Sequence, residues 1–214
     1  MSPFKVNPEP DVAKPSQGRV IALTGTVAAG KSTLGKMLEE WGWQVIDTDT
    51  LVHQLYERGA EGHRKLVDAF GESILSSSKD LDRGLLAATM IRDSSVYATV
   101  NHLIHPIVRK TWKSKVGESL RLYPRRSVAV IIPLLFEAGV EESFDVRAMV
   151  GCRAAVSRLR LRERGLTPEA ADFWMGKQWA AEKKAQACDQ VLWNEGSLEL
   201  LRHQAKRLTD PERG

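Results

Sequence analysis

This chain of 214 residues offers little sulfur chemistry: it has two cysteines, Cys152 and Cys188, and neither stands at metal-ligand spacing from the other or from the five histidines. Both are read as buried free thiols, which leaves out disulfide-stapled and zinc-finger scaffolds. Long hydrophobic runs are also missing. No apolar stretch approaches the roughly 18 to 20 residues that cross a bilayer, so no membrane association is expected. The first 18 residues, MSPFKVNPEPDVAKPSQG, contain Pro3, Pro8, Pro10 and Pro15 but no apolar segment. They read as a flexible leader and not as a secretory signal, and the expected compartment is the cytosol. Internal repeats, coiled-coil heptads and the N-K-x-D motif of guanine-nucleotide switches are absent.

What remains is an ordinary globular composition, 43% hydrophobic and 27% charged, long enough to bury one core. One domain over residues 19–214 is expected. Its charge is uneven: residues 1–107 hold 11 Lys/Arg against 13 Asp/Glu, and residues 108–214 hold 20 against 14. A basic second half suits an anionic ligand, and a solvated set of basic helices would look the same.

Short apolar runs bounded by glycine or turn residues predict buried parallel strands at Arg19–Thr24, Trp43–Ile46, Ser127–Ile132, Val146–Val150 and Val191–Trp193. Apolar Leu34, Met37, Leu38 and Trp41 fall at helical spacing over Lys31–Trp41, with Gly42 placed to cap the end. Residues 51–116 read as a helical region without a convincing strand, residues 154–187 as Arg-rich helix, and Leu198–Leu208 as a closing amphipathic helix. The fold class expected is α/β: a five-stranded parallel sheet flanked by helices.

Between the first strand and the first helix lies GTVAAGKS, residues Gly25 to Ser32, a full match to G-x-x-x-x-G-K-[ST]. Glycines let successive backbone N–H groups turn inward, and the helix N-terminus adds partial positive charge. Lys31 can then reach the β- and γ-phosphates, Ser32 can offer its hydroxyl to Mg²⁺, and Thr33 is placed for the α-phosphate. Gly25, Thr26, Val27, Ala28, Ala29, Gly30, Lys31, Ser32 and Thr33 are thus the candidate ATP-binding residues of a P-loop kinase.

Asp47-Thr48-Asp49 closes the second strand. These residues could be turn and cap residues for a helix beginning near Leu51, or their carboxylates could face the γ-phosphate, because ligands in open α/β sheets bind beyond the strands' carboxyl ends. A carboxylate there can take the acceptor hydroxyl's proton and help hold hydrated Mg²⁺. Arg158, Arg160, Arg162 and Arg164 cannot share one helical face, so some are solvated and one or two could close over ATP. His102 and His105 have no third ligand for zinc, leaving packing or a substrate contact. The six tryptophans are scattered, and neither they nor the charge pattern call for nucleic acid or an obligate protein partner.

In order, ALTGTVAAGKST, VIDTD, LDRGLL, NHLIHP, IIPLLFE, RLRERGLTPEA leading to Gln178, and CDQVLWNEG resemble the blocks of the dephospho-coenzyme A kinase family over Val20 to Leu208. The resemblance implies ATP- and Mg²⁺-dependent phosphorylation of the ribose 3′-hydroxyl of dephospho-coenzyme A, the last step of coenzyme A synthesis, with an acceptor-binding region at 51–116 and a lid at 154–181. It implies Asp49 as general base, also near Mg²⁺ through water, and Lys31 and Ser32 at phosphate and metal. It further implies Arg164 as the lid arginine, Arg83 and His105 as acceptor contacts, and Asn194 near the adenine of ATP. A different nucleoside or nucleotide kinase, or a nucleotide-binding relative of reduced activity, are the alternatives. Departures from the family pattern fall at Thr26, Ala28 and Ala29, where methyl groups would restrict backbone approach to phosphate, at the residue before Gly165, and at Trp174, where arginine is usual. There Lys177, Arg160 or Arg162 could take over the grip.

Overall fold

A computed structural model describes residues 18–209. All of the leader expected over residues 1–18, except Gly18, lies outside the described residues.

Five strands, β1 (Val20–Gly25), β2 (Gln44–Asp47), β3 (Val128–Ile131), β4 (Val146–Gly151) and β5 (Gln190–Trp193), form one parallel sheet in the order β2-β3-β1-β4-β5. The central pair sets Val20 beside Val128 and Leu23 beside Ile131. Both strands are apolar apart from Thr24 of β1, because helices cover both faces of the sheet. Alternation of side chains divides them: Ala22, Val128 and Val130 join the core under one helical layer, whereas Ile21, Leu23, Ala129 and Ile131 join the core under the other. At the β4–β5 seam, Arg147 grips Asp189 through Nε (3.0 Å) and Nη2 (2.9 Å).

One layer contains α1 (Lys31–Glu40) and α9 (Leu198–Thr209). Helix α1 buries Leu34, Met37 and Leu38 and comes so close to the sheet that a side chain at Gly35 would press on Ile131. Trp41 is its C-cap and Gly42 follows at φ 86°, a conformation in which glycine avoids the steric cost other residues meet.

The opposite layer is α2 (Thr48–Leu55), α3 (Glu61–Phe70), α4 (Arg83–Arg92) and the 29-residue α5 (Ser94–Leu122). Among the described residues between α2 and α5, strand-like pairing is limited to one bridge, Leu75 to Leu81. Helix α2 starts three residues earlier than expected, because the Asp47 carboxylate accepts from the Asp49 N–H at 2.9 Å and caps it there. The Arg-rich segment is three helices, α6 (Ala154–Glu163), α7 (Pro168–Gly176) and α8 (Ala181–Gln186), broken at Gly165 (φ 85°), with Thr167 capping α7.

Cys152 is buried as expected; Cys188 is only partly so, and both thiols are free. No described helix is long and apolar enough to cross a membrane. Because all five strands are parallel, Gly25, Asp47, Ile132, Gly151 and Asn194 meet at one edge of the sheet, where the site is built.

Candidate active site

Gly25 and Gly30 have backbone angles that side chains resist, φ 142° and 104°. A Cβ on Gly25 would strike the Val150 carbonyl, and one on Gly30 would strike the Asn194 amide. Between them the loop is held by its carbonyls. Ser157 Oγ donates to Val27 O at 2.8 Å, Arg160 Nη1 to Ala28 O at 3.2 Å and to Ala29 O at 3.4 Å, and Asn194 Nδ2 to Ala29 O at 2.7 Å. Arg160 Nη2 also donates to Asn194 O at 2.9 Å, joining α6 and the end of β5 into one support. With these carbonyls turned toward the support, the first N–H groups of α1, which have no partner within the helix, remain for an anion.

Ala28 holds a left-handed conformation, φ 56°, unusual for a residue other than glycine. Its methyl group packs with Leu161 of α6 and Ala171 of α7. The Ala28 side chain therefore joins the loop to the helices above it, a contact that glycine could not make.

Residues Val27 to Thr33 line a cavity of about 580 Å³ together with Asp49, Arg164 and one face of α5. Lys31 Nζ donates to the carbonyls of Gly25 (3.2 Å) and Thr26 (2.9 Å). Burial lowers its pKa from 10.5 to about 8, against a partly compensating pull from Asp49. The Asp49 pKa is raised, first by desolvation and then by the neighbouring Asp47 carboxylate, while Lys31 and His53 oppose the shift. Asp47, beyond capping α2, accepts from Ser32 Oγ at 3.4 Å. The pair divides its work: Asp47 orders the backbone, and Asp49 projects into the cavity.

Among the four alternating arginines only Arg164 lines the cavity. Arg158 is paired with Asp172 at 2.8 Å, Arg160 supports the loop, and Arg162 is exposed. Trp174 lines the cavity and meets Tyr97 edge-on at 6.2 Å, an aromatic contact between α7 and α5. Lys177, also on the wall, sits 4.7 Å from the centroids of both Tyr97 and Phe173.

Helix α5 contributes Tyr97, Asn101, His105, Arg109 and Trp112, a stripe at helical spacing. His105 is on the wall and burial holds its pKa below the ordinary range, so it is neutral at pH 7. His102 is exposed, and no group of three or more metal-ligating side chains occurs among the described residues. Arg83 is not on the cavity wall; its Nη2 donates to the His53 carbonyl at 3.2 Å. Asn194 stands behind the loop with its amide on Ala29 and is also not on the wall.

The residues that sequence reasoning missed are mainly supports. Lys184 is fully buried, with Nζ 2.7 Å from the Pro133 carbonyl and 3.2 Å from Glu137 Oε1. The same carboxylate oxygen accepts from the Trp179 N–H at 2.6 Å. Pro133 O also accepts from Thr24 Oγ1 at 3.3 Å, so the segment after α7 is tied to the strand leading into the P-loop. A lysine in an ordinary-looking helix gives no sign in sequence that it turns inward.

A family model described as dephospho-CoA kinase matches residues 19–199. The dephospho-CoA kinase of Gloeobacter violaceus is 34% identical over 193 residues, which span 90% of this chain and 92% of that one. A crystal structure of TT1252 from Thermus thermophilus is 29% identical, with a TM-score of 0.74 and coverage of 91% of this chain and 97% of that one. The dephospho-CoA kinase from Campylobacter jejuni shares the fold at 21% identity, with a TM-score of 0.65 and coverage of 91% and 96%.

Proposed function

The chain belongs to the dephospho-CoA kinase family, and from that premise we propose that it moves the γ-phosphoryl group of ATP to the ribose 3′-hydroxyl of dephospho-CoA, releasing ADP and CoA. The observation that carries this reading is the opposition, within one cavity, of P-loop residues Val27 to Thr33 and the Asp49 carboxylate, with the α5 stripe as the remaining wall; Gly25 and Thr26 of the loop lie off that wall.

The steps assigned to the chain's own groups follow from charge and position. The α1 N-terminus and Lys31 hold the donor phosphates, and the Asp49 carboxylate accepts the 3′-hydroxyl proton as the oxygen attacks in line. Arg164 neutralises charge on the phosphoryl in transit. Ser32, with Asp47 and Asp49 acting through water, fits Mg²⁺, which takes few protein ligands, all oxygen, beside substrate phosphates. When bound, the ion would supply charge neutralisation on the donor phosphates. Helices α6 and α7 act as a lid that excludes water from the transfer. Arg83 and Asn194 are assigned to positioning, of α2 and of the loop respectively. The organisation proposed is a single kinase domain over 19–214, with acceptor region 51–116 and lid 154–181. The cytosol is the proposed compartment, where unpaired thiols such as Cys152 and Cys188 persist.

The deciding experiment measures ADP release with Mg²⁺, ATP and a panel of acceptors: dephospho-CoA, nucleosides and nucleoside monophosphates. Dephospho-CoA should give the highest kcat/KM. Preference for a nucleoside would move the chain to another kinase activity, and ATP binding without transfer to any acceptor would make it a nucleotide-binding relative.

A further inference from the structure

We propose that Arg109 binds the 5′-diphosphate of the acceptor and is the residue that distinguishes dephospho-CoA from a bare nucleoside. The inference rests on the acceptor being dephospho-CoA and adds a subsite to it. Four cationic side chains line the cavity: Lys31, Arg109, Arg164 and Lys177. Three have other work. Lys31 is in the P-loop and Arg164 ends α6, both on the donor side, while Lys177 lies over the rings of Tyr97 and Phe173.

Arg109 is different. It projects from α5, in the acceptor region, one turn after the neutral His105, and makes no hydrogen bond or ion pair with any described residue. A guanidinium kept in a cavity wall with its donors unused matches a ligand carrying paired phosphate oxygens, which it can grip bidentately.

The chemistry of the acceptor points the same way. Its 3′-hydroxyl must approach Asp49, and the 5′ carbon, borne by the adjacent ring carbon on the opposite face of the ribose, leads the diphosphate away from the phosphoryl being transferred. That diphosphate needs a cation outside the donor site, and of the two cavity cations away from the P-loop and Arg164, Lys177 is engaged with the Tyr97 and Phe173 rings while Arg109 has its donors unused. Adenosine carries the same hydroxyl and base and lacks the diphosphate together with the uncharged pantetheine arm beyond it, so a loss that spares adenosine and is partly recovered by a lysine charge lies at the diphosphate.

The test compares wild type with Arg109→Gln and Arg109→Lys, using dephospho-CoA as acceptor and adenosine as competitive inhibitor against it. Removing a charge-assisted contact should raise the KM for dephospho-CoA about ten- to hundredfold in Arg109→Gln. The KM for ATP and the inhibition constant of adenosine should stay within about twofold, since the nucleoside never meets the guanidinium. Arg109→Lys should recover part of the loss because it keeps the charge without the fork. Because the side chain is exposed and unpaired, thermal unfolding should coincide for all three proteins. An unchanged KM for dephospho-CoA in Arg109→Gln, or an equal weakening of adenosine, overturns the proposal. Failure of the wild-type protein to phosphorylate dephospho-CoA overturns the functional reading, and this inference with it.

Discussion

Arg160 reaches from the Arg-rich helix α6 to the phosphate loop, where its Nη1 donates to the Ala28 carbonyl at 3.2 Å. The guanidinium shapes the site without standing in it. Arg160→Ala should leave the Ala28 and Asn194 carbonyls without a donor and loosen the loop. With about 1.5 to 3 kcal/mol at stake for charged hydrogen bonds, kcat/KM for ATP should fall about ten- to hundredfold. Arg160→Lys should recover only a fraction, because a compact ammonium lacks the planar fork whose two separate nitrogens reach the Ala28 and Asn194 carbonyls. Steady-state kinetics with varied ATP check this.

Asp49 is the candidate base, and its raised pKa has two consequences of opposite sign for activity and stability. Activity needs the ionised form, so kcat/KM, which reports the free enzyme, should rise with pH along an acid limb displaced above the ordinary carboxylate range. Asp49→Asn should lower kcat about 10²- to 10⁴-fold and abolish that limb. In the folded protein the charge is penalised above the raised pKa, and the penalty disappears as pH falls through it. The Asn variant should therefore unfold at no lower temperature than wild type at pH 7, with any gain vanishing at acid pH. A pH–rate profile and a pH series of melting curves test the two halves separately.

Lys31, lowered to about 8, is partly neutral in the free protein at pH 8.5. Polyphosphate should restore its charge, so ATP binding at that pH should take up a proton. Calorimetry in buffers of different ionisation enthalpy should show the uptake in wild type and none in Lys31→Met. The free protein should also gain stability as pH rises from about 8 towards 10.5, since the unfolded chain holds the lysine proton over that window.

The Lys184–Glu137 pair is buried on the lysine side, so removing one partner leaves a charge without its counterpart. Lys184→Met should cost about 3 to 5 kcal/mol in urea unfolding. Full stability in that variant would mean that Glu137 is adequately served by Trp179 N–H and solvent.

The strands were legible because their signal is local. Each apolar run is bounded by glycine or turn residues, and β1, expected at Arg19–Thr24, lies at Val20–Gly25. The P-loop was legible because its backbone path restricts residue type at Gly25 and Gly30. What sequence concealed depends on contacts between distant segments. Nothing near Arg160 shows that its fork ends on Ala28, 132 residues away, and nothing near Asn194 shows that its amide supports Ala29. The α5 stripe at 97, 101, 105 and 109 was present as a period of four, yet polar residues at that spacing also describe any solvated helix face. Of the two acids, spacing alone could not separate the capping Asp47 from the projecting Asp49.

The support behind the phosphate loop also has a consequence in time. Arg160 and Asn194 come late in the chain, more than 130 residues after the carbonyls they hold. A nascent polypeptide thus carries GTVAAGKS out of the ribosome long before it can present a finished nucleotide cradle. Competence to bind ATP should arrive abruptly, when the last strand docks, and partly made chains should not sequester the nucleotide.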